Sequence, residues 1–159
     1  MPEGKEGAAV KIIKVDTDNK TEVLDFPEGT IMEELEALRT MVGPKCRLVE
    51  HVRPMKLYTV FGAPSSPNRM KSSAVSMLVD EEGILSGLPL NHLGSWLYGT
   101  EKHGHPIVGN ILFVGEYDTG DGYSFCGLSD EMLNKLLPQI KGVADMINTF
   151  IISEGGGAE

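Results

Sequence analysis

Histidines and short acidic runs are the groups in this sequence best suited to chemistry. His103-Gly104-His105, with His92 upstream, offers imidazoles either to a divalent metal or to general-base work near neutral pH. Histidines at i and i+2 share a face only in extended chain, and no fixed carboxylate spacing completes a ligand set. No metal centre and no cofactor is therefore expected. Asp80-Glu81-Glu82 brings carboxylates together, but acid–base pairs need a defined separation and unlike environments, whereas neighbours in a turn point into water. Glu116, Asp118 and Asp121, with Gly120 and Gly122, read as a second acidic loop without the alternating ligands and final Glu of a calcium loop. Gly120-Asp121-Gly122 precedes a helix start at Ser129 as phosphate loops do, yet neither a third glycine nor a Gly-Lys-Ser/Thr triplet follows. Cys46 and Cys126 lie far apart, fit no local nucleophile or zinc signature, and read as reduced thiols filling the core.

The most distinctive segment is Gly87-Leu88-Pro89-Leu90-Asn91 through Trp96 and Tyr98. Asn91 suits the N-cap of a short helix, with Pro89 fixing the entry. The same segment can line a pocket in which Asn91 and His92 supply hydrogen bonds while Trp96 and Tyr98 form an aromatic wall. Together with His103 and His105, these residues are the expected ligand or partner surface.

The elements that must position them follow from periodicity and punctuation. Ala8 to Val15 is β-branched, Asp16-Thr17-Asp18-Asn19 is turn chemistry, and Thr21 to Leu24 is the return strand. Thr30 stands three residues before Glu33, a capping-box spacing, and Ile31, Leu35, Leu38 and Val42 recur at helical intervals up to Gly43-Pro44. The spacing predicts a helix over 31–42 with that stripe on a sheet. Arg47 to Val52, Lys56 to Phe61, Ser73 to Val79 and Pro106 to Val114 read as further strands, and Gly62 to Lys71 as a surface loop able to act as a flap. Leu88 to Tyr98 reads as a short helix. Ser129 caps a last helix patterned from Leu133 to Ile147, which Pro138 should kink or split.

Length and composition bound the fold. A chain of 159 residues with 41% hydrophobic and 23% charged residues suits one core. The expected organisation is a flexible start over 1–7, one domain over 8–152 and a flexible tail over 153–159. The fold class is α+β: a largely antiparallel sheet of about five strands, packed on one face by two or three helices. A formal charge of -9 opposes direct capture of nucleic acid or anionic lipid, and the start lacks the apolar stretch of a signal peptide, so a cytoplasmic protein is expected.

At Val79-Asp80-Glu81-Glu82-Gly83-Ile84-Leu85-Ser86-Gly87-Leu88-Pro89-Leu90-Asn91 the chain resembles the uncharacterised family known as domain of unknown function 3846, whose pattern is an acidic turn, then Gly-Leu-Pro-x-Asn, then a glycine-bounded apolar strand. His105 to Gly115 resembles that strand, Leu128-Ser129-Asp130-Glu131 the late helix start, and Val10 to Gly43 the family's early hairpin and helix. The order of elements agrees from about residue 9 to 140, and the resemblance implies proteins of bacteria, phages and plasmids. It implies no catalytic residue.

Composition that builds a fold without a reactive constellation points first to a non-catalytic binding or interaction protein, for a small ligand or a protein partner. Two other readings follow. One is a small enzyme on a polar metabolite with His92, His103 or His105 as general base. The other is an acidic antagonist seated in the nucleic-acid site of another protein.

Overall fold

A computed structural model describes residues 11–52, 74–99, 105–118 and 123–158. The expected strand at 56–61, the loop at 62–71 and His103 lie outside the described residues. Six strands and three helices are described: β1 (Lys11–Val15), β2 (Thr21–Asp25), α1 (Ile31–Val42), β3 (Val49–Val52), β4 (Ala74–Asp80), α2 (His92–Tyr98), β5 (Ile111–Asp118), β6 (Tyr123–Cys126) and α3 (Asp130–Ala158). The sheet order is β2-β1-β5-β4-β3, and each of these pairings is antiparallel. β5 is long enough to serve two neighbours on one side: Ile111–Phe113 pair with β1, and Gly115–Asp118 with β6. The architecture is α+β.

Helices cover both faces of this sheet, where one covered face was expected. Ile111 and Phe113 of β5 join Ile13, Val15, Val75, Met77 and Val79 beneath Leu93 and Leu97 of α2 and Met132, Leu136, Ile140 and Ala144 of α3. Leu112 and Val114 point the other way, joining Ile12 and Leu78 beneath Leu38 and Val42 of α1. Strand side chains alternate between faces, so four successive buried apolar residues, Ile111 to Val114, require cover on both. That run was visible in the sequence.

Other boundaries moved for local reasons. β5 begins at Ile111, later than Pro106, because Gly109 has a positive φ of 78° that breaks the extended chain ahead of it. Glu116, read from sequence as part of an acidic loop, lies inside β5 and is wholly buried. β6 was missed because its four residues carry no long apolar pattern. α3 is one element with Pro138 inside it and runs through Gly155 to Ala158. A proline lacks one backbone donor and costs about 3 kcal/mol in a helix interior. The buried stripe of Leu136, Ile140 and Ala144 opposes that loss and holds the helix in one piece across it.

α1 matches its expected limits, and its cap is explicit. Thr30 Oγ1 accepts from Glu33 N–H at 3.2 Å while Thr30 N–H donates to Glu33 Oε1 at 2.7 Å. The bonds from Thr30 hold the Glu33 carboxyl below its ordinary value. A depressed carboxyl contributes stability above the unfolded value and loses it as pH falls through the folded one. Thr30→Ala removes the hydroxyl that accepts from Glu33 N–H but keeps the backbone donor to the carboxylate, and loss of that cap should destabilise the fold by about 1 kcal/mol near neutral pH. The pH-dependent part belongs to the carboxylate: the gap between Glu33→Gln and wild type, measured by urea unfolding, should narrow as the solution is acidified through the carboxylate range.

Candidate functional site

The segment singled out by sequence is pinned by Asn91, whose side chain is wholly buried. Its Oδ1 accepts from Gly94 N–H at 2.8 Å, which is the N-cap bond of α2. Its Nδ2 lies 2.9 Å from Gly109 O and 3.3 Å from Val15 O, with Asp16 O at 3.4 Å. One amide thus ties the helix start to the end of β1 and to the strap before β5. Ser95 reinforces the strap: its hydroxyl accepts from Ile107 N–H at 2.9 Å and donates to Ile107 O at 3.2 Å. Gly99 ends α2 in the left-handed conformation, φ 82°.

The other expected surface residues fall into two pairs. His92 and Trp96 are exposed one helical turn apart on the outer side of α2. Tyr98 and His105 meet, with the phenol oxygen 3.1 Å from Nε2 and the ring centroids 5.0 Å apart. Asn91 lies beneath this surface and holds it in place. Among the described residues, no group of three or more His, Cys, Asp or Glu side chains could hold a metal ion. Both cysteines are buried and neither forms a disulfide, and desolvation, then the charge of Asp80, pushes the Cys46 thiol up, away from a reactive thiolate.

Two features went unseen in the sequence. The first is a polar cluster across three adjacent strands: His51 of β3, Ser76 of β4 and Glu116 of β5. The register pairs His51 with Leu78 and Ser76 with Val114, so all three side chains share the α1 face of the sheet. Ser76 and Glu116 are wholly buried, and His51 keeps a quarter of its side chain open. Nε2 of His51 lies 2.8 Å from Ser76 Oγ and 3.4 Å from Glu116 Oε1, and the Ser76 hydroxyl donates to that same carboxylate oxygen. Phe125 meets the imidazole edge-on at 5.0 Å. This is not a serine-nucleophile relay, in which the carboxylate holds the second ring nitrogen and the hydroxyl proton faces the first. Here the hydroxyl proton goes to the carboxylate, and the buried oxygen is closed to substrate. Only the strand register unites residues so distant in sequence.

The second feature lies where the helical stripe of α1 was expected to pack. Leu38 and Val42 are buried as anticipated, but Leu35 is 46% exposed and Ile31 66%. The second half of the helix covers the sheet while the first half stands clear of it. Met32, Leu35 and Glu36 of the first half and Arg39 of the second, with Arg47 and Leu48 ahead of β3 and Val49 at its start, line a groove of about 430 Å³.

The fold carrying these sites has one recognisable segment. Residues 66–141 match the family described as domain of unknown function (DUF3846). The DUF3846 stretch takes in β4, α2, β5, β6 and the first part of α3, and so the Asn91 pin, Ser76 and Glu116. The early hairpin and α1, which also resemble the family pattern, lie outside the matched stretch, as does His51. No curated protein and no solved structure gives a significant match to the chain. Among the described residues, no helix is long and apolar enough to cross a membrane.

Replacing Asn91 by Ala removes a helix cap and leaves buried carbonyls without a donor. Urea unfolding of Asn91→Ala should show a loss of about 2–3 kcal/mol, whereas His92→Ala, on the exposed side of α2, should stay within about 0.5 kcal/mol of wild type.

Proposed function

We propose that the protein is a binding module whose groove between α1 and β3, itself non-catalytic, takes a short segment of a partner protein. The observation that carries this reading is the exposure of apolar residues at helix-core spacing: Met32 and Leu35 on α1, faced by Leu48. An apolar groove rimmed by polar groups is the usual anatomy of a recognition site.

Charge selects the occupant. In a chain of net charge -9, two arginines, Arg39 and Arg47, line this groove. Their ion pairs are long and exposed, 4.0 Å to Glu36 and 3.8 Å to Glu82, and so are readily exchanged for a better partner. Glu33 is engaged by the helix cap. A segment with an aliphatic side chain next to a carboxylate fits this lining, with the apolar group on Met32, Leu35 and Leu48 and the carboxylate on an arginine fork. The outer side of α2, where His92 and Trp96 stand, is a second contact face on this reading.

Selection from a displayed random-peptide library tests it. Wild-type protein should enrich peptides that place Leu, Ile, Met or Phe beside Asp or Glu. Their affinity, read by fluorescence anisotropy, should fall about tenfold or more in Leu35→Asp. The double variant Arg39→Glu/Arg47→Glu should turn the preference toward basic flanks. Binding indifferent to all of these changes would overturn the groove, and loss confined to Trp96→Ala would move the function to α2.

A further inference from the structure

A buried carboxylate is costly unless charge and hydrogen bonds meet it, and Glu116 lies wholly buried in the sheet. The bonds around it have a direction. With Glu116 ionised, the Ser76 hydroxyl donates its single proton to the carboxylate, so its oxygen can only accept from His51 Nε2. That places the proton of a neutral His51 ring on Nε2 and leaves Nδ1 as a lone pair. Nδ1 has no hydrogen-bond partner among the described residues, where Asn19 Oδ1 is the buried side-chain polar atom lacking one. The side chain is a quarter open, and Nδ1, which lacks a partner among the described residues without being one of their buried unsatisfied atoms, keeps access to solvent.

We propose that His51 is a general base, its Nδ1 accepting a proton from water or from the hydroxyl of a polar small molecule, with Ser76 and Glu116 as positioning residues. Nε2 is anchored on the buried pair, so the ring cannot flip its nitrogens without giving up the bond to Ser76. Phe125 holds the ring edge-on. When Nδ1 takes a proton, the imidazolium formed faces the carboxylate of Glu116 at 3.4 Å. For an ester, the oxygen of water bonds to the carbonyl carbon as Nδ1 takes the water proton. The bond to the leaving oxygen then breaks with its electron pair, and the proton passes from Nδ1 to that oxygen or to solvent. This site is independent of the peptide groove, and either can fail alone.

Hydrolysis of p-nitrophenyl acetate by the full chain is the probe. His51→Gln keeps an amide donor within reach of Ser76 and lacks the base, so the protein-dependent rate should fall about tenfold. Lys141→Gln, at an exposed position of α3 outside the cluster, should leave the rate unchanged. Ser76→Ala frees the ring and should lower the rate in part. Ring-nitrogen NMR shifts of the wild type read the same arrangement without any variant: the neutral ring should carry its proton on Nε2, and Ser76→Ala should give a mixture. A rate in His51→Gln equal to wild type, or a wild-type ring protonated on Nδ1, would overturn the proposal.

Discussion

The structure is organised by the double-sided burial of β5. Ile111, Leu112, Phe113 and Val114 are all buried, so each face of the sheet must be covered along that length. α2 and α3 supply one cover and α1 the other. The two covers are unequal. α3 follows its face with the buried Met132, Leu136, Ile140 and Ala144, whereas α1 commits the buried Leu38 and Val42 with the half-buried Met41. Both the groove and the polar cluster lie on the α1 side, where the described residues supply the smaller cover. The groove forms where α1 leaves the sheet, and the cluster follows Val114 along β5, where Glu116 takes the next position on that face.

Asn91 shows how such a sheet acquires a local surface. A helix as short as α2 gains little from its own hydrogen bonds, because nucleating the first turn is unfavourable. Its position is set by bonds to other segments. The Asn91 amide bonds to Val15 and Gly109 carbonyls and to Gly94 N–H, and the Ser95 hydroxyl holds Ile107 on both backbone groups. Gly94 lets the helix lie close to the strap and β5, since a Cβ there would stand 3.0 Å from Ile107 Cγ2. The outward faces of His92 and Trp96 inherit this rigidity. An asparagine buried beneath a surface can therefore govern that surface without touching what binds to it.

Local chemistry made much of this legible. The limits of α1 follow from Thr30, Glu33 and Gly43, and the cap of α2 from Asn91, because capping is a short-range matter of side-chain oxygens and orphan N–H groups. The resemblance at Val79 to Asn91 was carried by residues within the matched stretch. What could not be read is what depends on register. His51, Ser76 and Glu116 look like ordinary polar residues in strand or loop until β3, β4 and β5 are set side by side. Leu35 satisfies helical periodicity whether or not a sheet lies beneath it, so periodicity alone assigned it to the core.

The polar cluster poses the sharper physical question. Replacing a buried ion pair by well-packed apolar residues is often neutral or stabilising, so stability is a weak reason for Glu116 to follow Leu112 and Val114 on the same face of β5. Fixing strand register is another possible reason, since a one-residue slip would turn Ser76 and Glu116 to the opposite face. Register, however, asks only that the polar groups satisfy one another. The serine and the carboxylate are already hydrogen-bonded and wholly buried without the imidazole. His51 adds a ring that reaches from that buried pair to solvent, with one nitrogen anchored and the other unengaged among the described residues. An arrangement built for register alone has no need of the second nitrogen. One built to move a proton between solvent and the protein surface requires it.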